Sequence, residues 1–198
     1  MFPVTLDLSV VKIALVGGGA ASLRRLKQLD AAGVRYVSVF SDNFSKTFWN
    51  QAGSRLHTRM PEPEEIKKNS VLLIADIPDS QMIPMVQIAR NNSVLVNVED
   101  RKEYCDFHFP SFVRRGDLLL AVSTAGRSPA LAKRIRQKLE GLFPVQWQTY
   151  LDEIATKRAE WKRAGYGFDE VAELSNEYID KKEWLDEKQE EKILELVD

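Results

Sequence analysis

The sequence predicts an α/β protein: a parallel, doubly wound sheet at the N-terminus, then a separate strand-and-helix segment, then a helical C-terminal region. Three observations carry this. Apolar runs alternate with helical patterns from residue 12 to residue 98. One of those runs, SVLLIADI at Ser70–Ile77, is continuously apolar until Pro78-Asp79 ends it, as a strand buried on both faces of a parallel sheet must be. From Trp147 onward no strand pattern remains.

Phe2–Leu8 alternates in part and reads as an edge strand or a packed N-terminal arm. Ile13–Val16 is an apolar strand that runs into Gly17-Gly18-Gly19, and a helix with Leu23 and Leu26 inward follows at once. Gly33 ends that helix, and Tyr36–Phe40 is the second strand of a crossover unit. Phe44–Ala52 reads as a short helix, Gly53–Met60 as a short strand, and Pro61–Asn69 as a polar loop or short helix. His57 has no partner motif and is read as structural or exposed. A helix fits Ser80–Asn91, with Pro84 tolerable only in its first turn. Val94–Val98 is the next buried strand.

Beyond Asp100 the character changes. Arg114-Arg115-Gly116 reads as a turn before a further apolar strand, Asp117–Thr124. Ser128 is a good N-cap and Pro129 a good first residue for the helix that follows. Leu131, Ile135, Leu139 and Leu142 make its apolar stripe, with Lys133, Arg134, Arg136 and Lys138 on other faces. This strand and helix lie outside the first sheet and need a partner surface. Gly165 and Gly167 interrupt the helical region. Its acidic end, with Trp184, Leu185, Ile193 and Leu196, is an amphipathic appendage or a frayed tail.

The 198 residues suit one large domain, or one domain with an appendage, and 44% hydrophobic content supports a real core. A single cysteine, Cys105, excludes an internal disulfide framework and fits a reducing cytoplasm. The N-terminal stretch lacks the basic region and cleavage site of a signal peptide, and no apolar run approaches a membrane span. The net charge of −1 hides an asymmetry. Residues 165–198 hold 12 acidic and 4 basic residues, whereas residues 1–164 hold 24 basic and 17 acidic. A cationic body suits an anionic ligand. No basic, aromatic-rich patch or recognition motif points to nucleic acid.

Strand, glycine turn and helix form the context in which a Gly-rich loop binds a dinucleotide, making the first domain Rossmann-like. Gly17 permits the tight turn, Gly19 lets the backbone approach a pyrophosphate, and Ser22 holds the third small position, where Gly or Ala is usual. The helix N-terminus offers N–H donors to phosphate. Ser41-Asp42 ends the second strand. Asp42, 25 residues after Gly17, stands where an acid binds ribose hydroxyls and favours NAD over NADP. Asp100 follows the carboxyl end of a buried parallel strand, where it is a general-base candidate or simply a loop or capping acid. Cys105, Asp106 and His108 do not share one face of an extended segment, so no metal site is assigned. The loop STAGRSP (residues 123–129) leads to a helix N-terminus, with Arg114, Arg115 and Arg127 as candidate carboxylate clamps; plain capping is the alternative.

Taken in order, Phe2-Pro3-Val4 with Leu6-Asp7-Leu8, VGGGAASLRR, LIADIPD, VNVED, CDFHFP and VRRGDLLLAVSTAGRSPALAKRIRQKLE resemble the siroheme-synthase dehydrogenase family. The resemblance covers about residues 1–145, and its most specific block is Asn97–Glu140. It implies an oxidoreductase that converts precorrin-2 to sirohydrochlorin with NAD+; some members also insert Fe2+ as sirohydrochlorin ferrochelatases. It implies Asp100 as the catalytic aspartate, Gly17, Gly19, Ala20 and Ala21 in the nucleotide loop, and Ser41-Asp42 beside the adenosine ribose. Thr124 and its loop match the substrate-side anion site, and the substrate bears eight carboxylates. The family is a homodimer interlocked by its middle segment. The expected organisation is an NAD-binding domain over residues 1–112, a dimerisation and substrate segment over 113–145, and a helical region with an acidic tail over 146–198. Ala21-Ser22 depart from the usual Val-Ala. Asp76-Ile77-Pro78-Asp79 depart from the usual Ala-Thr-Asp-Asp, and Ile83 replaces an expected Asn. These departures favour a second reading, a non-catalytic Rossmann protein that binds NAD or a tetrapyrrole as sensor or carrier. Asp100 and the intact STAGRSP loop oppose it.

Overall fold

A computed structural model describes residues 2–185, which divide into two compact units after His108. Ile193 and Leu196 of the acidic end lie outside the described residues.

In the first unit the strands are β1 (Lys12–Val16), β2 (Tyr36–Phe40), β3 (Leu56–His57), β4 (Val71–Ile74) and β5 (Leu95–Val98). The helices are α1 (Ala20–Ala31), α2 (Lys46–Ala52), α3 (Pro63–Lys67) and α4 (Asp79–Asn91). All pairings are parallel, in the order β3-β2-β1-β4-β5. Alternate residues of each strand feed opposite cores, as the two-residue pleat requires. Ile13 and Leu15 join Leu26, Leu29, Val39 and Phe48, whereas Ala14 and Val16 join Phe40, Met82, Val86 and Val96. The chain reverses its direction of sheet growth between β1 and β4, so a crevice must open at their carboxyl ends.

Several local expectations shift. Residues 2–8 form no strand: the arm lies mostly exposed, and only Leu8 packs on the core, its carbonyl accepting from Arg35 N–H at 3.0 Å. Strand β4 ends at Ile74 rather than Ile77, because Asp76 turns into the left-handed region at φ 59°. Pro84 lies past the first turn, inside α4. Its ring is exposed, and burial of Met82, Met85, Val86 and Ala89 on the opposite face outweighs a proline penalty of about 3 kcal/mol. His108 is exposed.

The second unit starts with a hairpin of β6 (Ser111–Arg115) and β7 (Leu118–Val122). Arg114 and Arg115 do not form the turn; they are the last paired residues of β6, opposite Leu119 and Leu118, and Gly116-Asp117 make the two-residue loop. Helix α5 (Pro129–Leu142) follows, with Ser128 Oγ accepting from Leu131 N–H at 3.2 Å. Helices α6 (Trp147–Arg163) and α7 (Phe168–Lys181) pair antiparallel. Arg158 donates to the buried Ser175 hydroxyl at 2.7 Å, and Tyr178 donates to Glu153 at 2.5 Å. Trp184 is buried and stacks on Tyr150, so this part of the acidic end is packed; Leu185 stays exposed.

Candidate functional site

The crevice at the carboxyl edge of the sheet is a cleft of about 300 Å³. It is lined by the glycine loop (Gly18, Gly19), the end of β2 (Ser41, Asp42, Asn43) and the turn after β4 (Asp76, Ile77, Pro78), with Phe44, Ser45 and Gln81 closing it. Backbone bonds lock this edge: Gly17 N–H donates to Phe40 O at 2.9 Å, Ala75 N–H to Val16 O at 3.0 Å, and Ser41 N–H to His57 O at 3.1 Å.

The loop geometry depends on missing side chains. Gly17 has φ 123°, and a Cβ there would sit 1.8 Å from Ala75 O and 2.5 Å from Ser22 Oγ. Ser22 is fully buried, and its hydroxyl donates to Ala75 O at 3.2 Å. A polar residue is therefore accommodated at the helix–strand packing position, because the strand's own carbonyl satisfies it. Ala20 and Ala21 are the first two residues of α1. Its N-cap, Gly19, supplies no side-chain acceptor, so first-turn donors look outside the helix. One of them is taken: Ser22 N–H donates to Asp76 Oδ2 at 2.8 Å. A cradle of this shape, with backbone donors and a helix dipole at its floor, fits an anionic dinucleotide. Ser41 is buried, and its hydroxyl donates to Asn43 O at 2.7 Å, fixing the turn that leaves Asp42 exposed in the cleft wall.

Asp100 is not among the cleft-lining residues. It sits exposed just beyond β5 with φ 59°. Its neighbours are anchored on both sides. Glu99 pairs with Arg25 at 3.0 Å and Arg24 at 3.4 Å on α1. Arg101 holds Asp79 at the start of α4 through bonds of 2.5 and 3.0 Å and also reaches Glu103 at 3.0 Å. The Asp79 carboxylate raises the Arg101 pKa, with Glu103 adding to the effect. Burial pulls the Arg25 guanidinium down, and Glu99 opposes it. Cys105 and Asp106 are used structurally. Val98 N–H donates to Cys105 Sγ at 3.3 Å and Val96 N–H to Asp106 Oδ2 at 2.9 Å, and burial pushes the Cys105 thiol up.

The remaining candidates belong to the second unit. Thr124 Oγ1 accepts from Ser128 N–H at 3.2 Å and donates to Ser128 O at 3.1 Å, closing the STAGRSP loop on itself. Arg114 and Arg127 are exposed. Arg115 donates to Phe143 O at 2.6 Å, Glu140 O at 3.3 Å and Arg114 O at 3.0 Å, so its guanidinium caps the carboxyl end of α5. Sequence reasoning noted Asp76 only as a departure and missed its bond to α1; Asn43, Phe44, Ser45 and Gln81 carried no motif.

Comparison with known proteins follows the same division. The family described as "Putative NAD(P)-binding" matches residues 4–111, and that described as "Sirohaem biosynthesis protein central" matches residues 115–142. Siroheme synthase 2 of Yersinia pestis (strain Pestoides F) is 32% identical over 163 residues, which is 81% of this chain and 34% of that protein. The siroheme synthase of Nitrosococcus oceani is 34% identical over 145 residues, 72% of this chain and 31% of that protein. The chain thus spans about a third of the length of these curated relatives. Among solved structures, "SirC, precorrin-2 dehydrogenase" superposes with a TM-score of 0.74 at 25% identity, covering 98% of each chain. With an NAD(P)-binding match over more than half its length, followed in order by the sirohaem-biosynthesis match, the chain belongs to the siroheme-synthase dehydrogenase family.

Proposed function

We propose that this chain is an NAD-dependent precorrin-2 dehydrogenase, acting in a reducing cytoplasm. The observation that carries the reading is the cleft at the β1–β4 switch point, floored by a glycine loop and walled by Asp42. Bound NAD+ supplies a hydride acceptor. The donors at the start of α1 hold the pyrophosphate, with Gly17, Gly19, Ala20 and Ala21 leaving room for it. Ser41 fixes the turn that presents Asp42 to the adenosine ribose. Asp100 takes the proton that leaves the macrocycle or orients the ring. Arg114, Arg127 and the Thr124 loop draw in the substrate's carboxylates, while Arg115 shapes the segment that carries them. An anaerobic ultraviolet–visible assay with precorrin-2 and NAD+ tests this: sirohydrochlorin and NADH are expected together, and a parallel arm with Fe2+ reads ferrochelation. Cofactor binding without turnover would instead support the sensor or carrier reading, which the carboxylate of Asp76 inside the cleft favours.

Asp42 makes NAD+ the preferred cofactor, since an acid beside the ribose repels a 2′-phosphate. Titration with both dinucleotides should give tighter NAD+ binding; equal or tighter NADP+ binding rejects the assignment.

The second unit supports a homodimer. The two-stranded ribbon β6–β7 is marginal alone. Its apolar β7 is only half-buried, and of the α5 stripe Leu131 and Ile135 are exposed. Light scattering should show a dimer at micromolar concentration, and Leu131→Asp with Ile135→Asp should shift it toward monomer. A monomeric wild type rejects the interface.

A further inference from the structure

Asp76 occupies the place where this fold receives a phosphate. Its Oδ2 accepts the Ser22 N–H at 2.8 Å, in the first turn of the helix whose positive end faces the cleft. A Cβ placed on Gly19 would lie 2.5 Å from Asp76 Cγ and 2.7 Å from both Cβ and Oδ2. The room that Gly19 leaves by having no side chain is therefore filled by this carboxylate. Asp76 reaches it through a left-handed backbone, φ 59°, immediately after β4. Aspartate tolerates that conformation better than most residues but still carries strain there. The contact is thus a negative charge held on an anion-binding helix end by a strained turn.

We propose that Asp76 is an internal competitor for the cofactor pyrophosphate and sets the chain's dinucleotide affinity. Binding requires the carboxylate to leave the Ser22 N–H, and in the empty protein the same group stabilises the start of α1. The proposal rests on the cleft being the cofactor site, as argued above. It does not depend on which tetrapyrrole is oxidised.

Calorimetric titration of NAD+ into the full chain tests it, with wild type, Asp76→Asn, Asp76→Ala and a Glu64→Gln control compared. Asparagine keeps an acceptor for Ser22 and removes the charge; alanine removes both. Both Asp76 variants should bind NAD+ about tenfold more tightly, in line with the worth of a well-placed charge at a helix end, and inorganic pyrophosphate should follow the same order. Glu64 is an exposed acid outside the cleft, and its variant should match wild type. Thermal melting should show alanine less stable than wild type, and asparagine covers the case in which alanine fails to fold. Equal or weaker NAD+ binding by the Asp76 variants, or an equal gain in the Glu64 control, overturns the proposal and leaves the cofactor site standing. If no protein binds NAD+ at any concentration, the cofactor assignment itself falls and takes this inference with it.

Discussion

Asp100→Asn is expected to keep the fold and NAD+ binding yet lose precorrin-2 turnover by about 100-fold or more, the range that positioned acid–base groups contribute. The substitution is close to isosteric, and asparagine tolerates the left-handed φ of 59° found there. The neighbouring anchors, Glu99 to Arg25 and Arg101 to Asp79, are untouched, so the backbone at position 100 stays where it is. What changes is the ability to accept a proton. If the chain also inserts iron, the same variant should slow that step, because metal entry likewise displaces pyrrole protons. A variant with near-normal turnover would remove Asp100 from the mechanism and strengthen the sensor reading.

The second large effect is on stability. Gly17→Ala should destabilise the protein by about 3 kcal/mol or more, summing backbone strain and overpacking. The new methyl would lie 1.8 Å from Ala75 O. That carbonyl belongs to a residue whose own N–H is bonded to Val16 O, so it cannot withdraw without opening the edge of the sheet. Urea denaturation followed by circular dichroism measures the loss, and NAD+ binding should fall with it. Wild-type stability in this variant would mean the glycine turn is not built as described.

How far the sequence was legible depends on whether a feature is local. The second strand, Tyr36–Phe40, has the bounds expected from its apolar run. The first strand, the glycine turn and α1 were readable for the same reason: period, glycine and capping chemistry act over a few residues. Features made by distant partners were not. The Ser22–Asp76 bond spans 54 positions, and nothing in either local pattern announces it. Pro84 was expected to be tolerable only in a first turn, because periodicity does not reveal how much burial a helix has in reserve to offset an interior proline. Arg114-Arg115-Gly116 looked like a turn because charge and glycine suggest one, while pairing with Leu118 and Leu119 extended β6 through both arginines. The α5 stripe was readable as apolar, but which of its residues remain uncovered depends on how the hairpin lies against it.

Arg115 illustrates a mechanical consequence. It sits at the closed end of the hairpin and grips the carbonyls of Glu140 and Phe143, so one side chain spans the last turn of α5. At the helix's other end, Thr124 and Ser128 hold each other through two hydrogen bonds. Hairpin, loop and helix are in effect braced together, with one tie at each end of the helix. Arg115→Ala would remove the tie at the closed end of the hairpin and leave only the Thr124–Ser128 tie at the helix's other end.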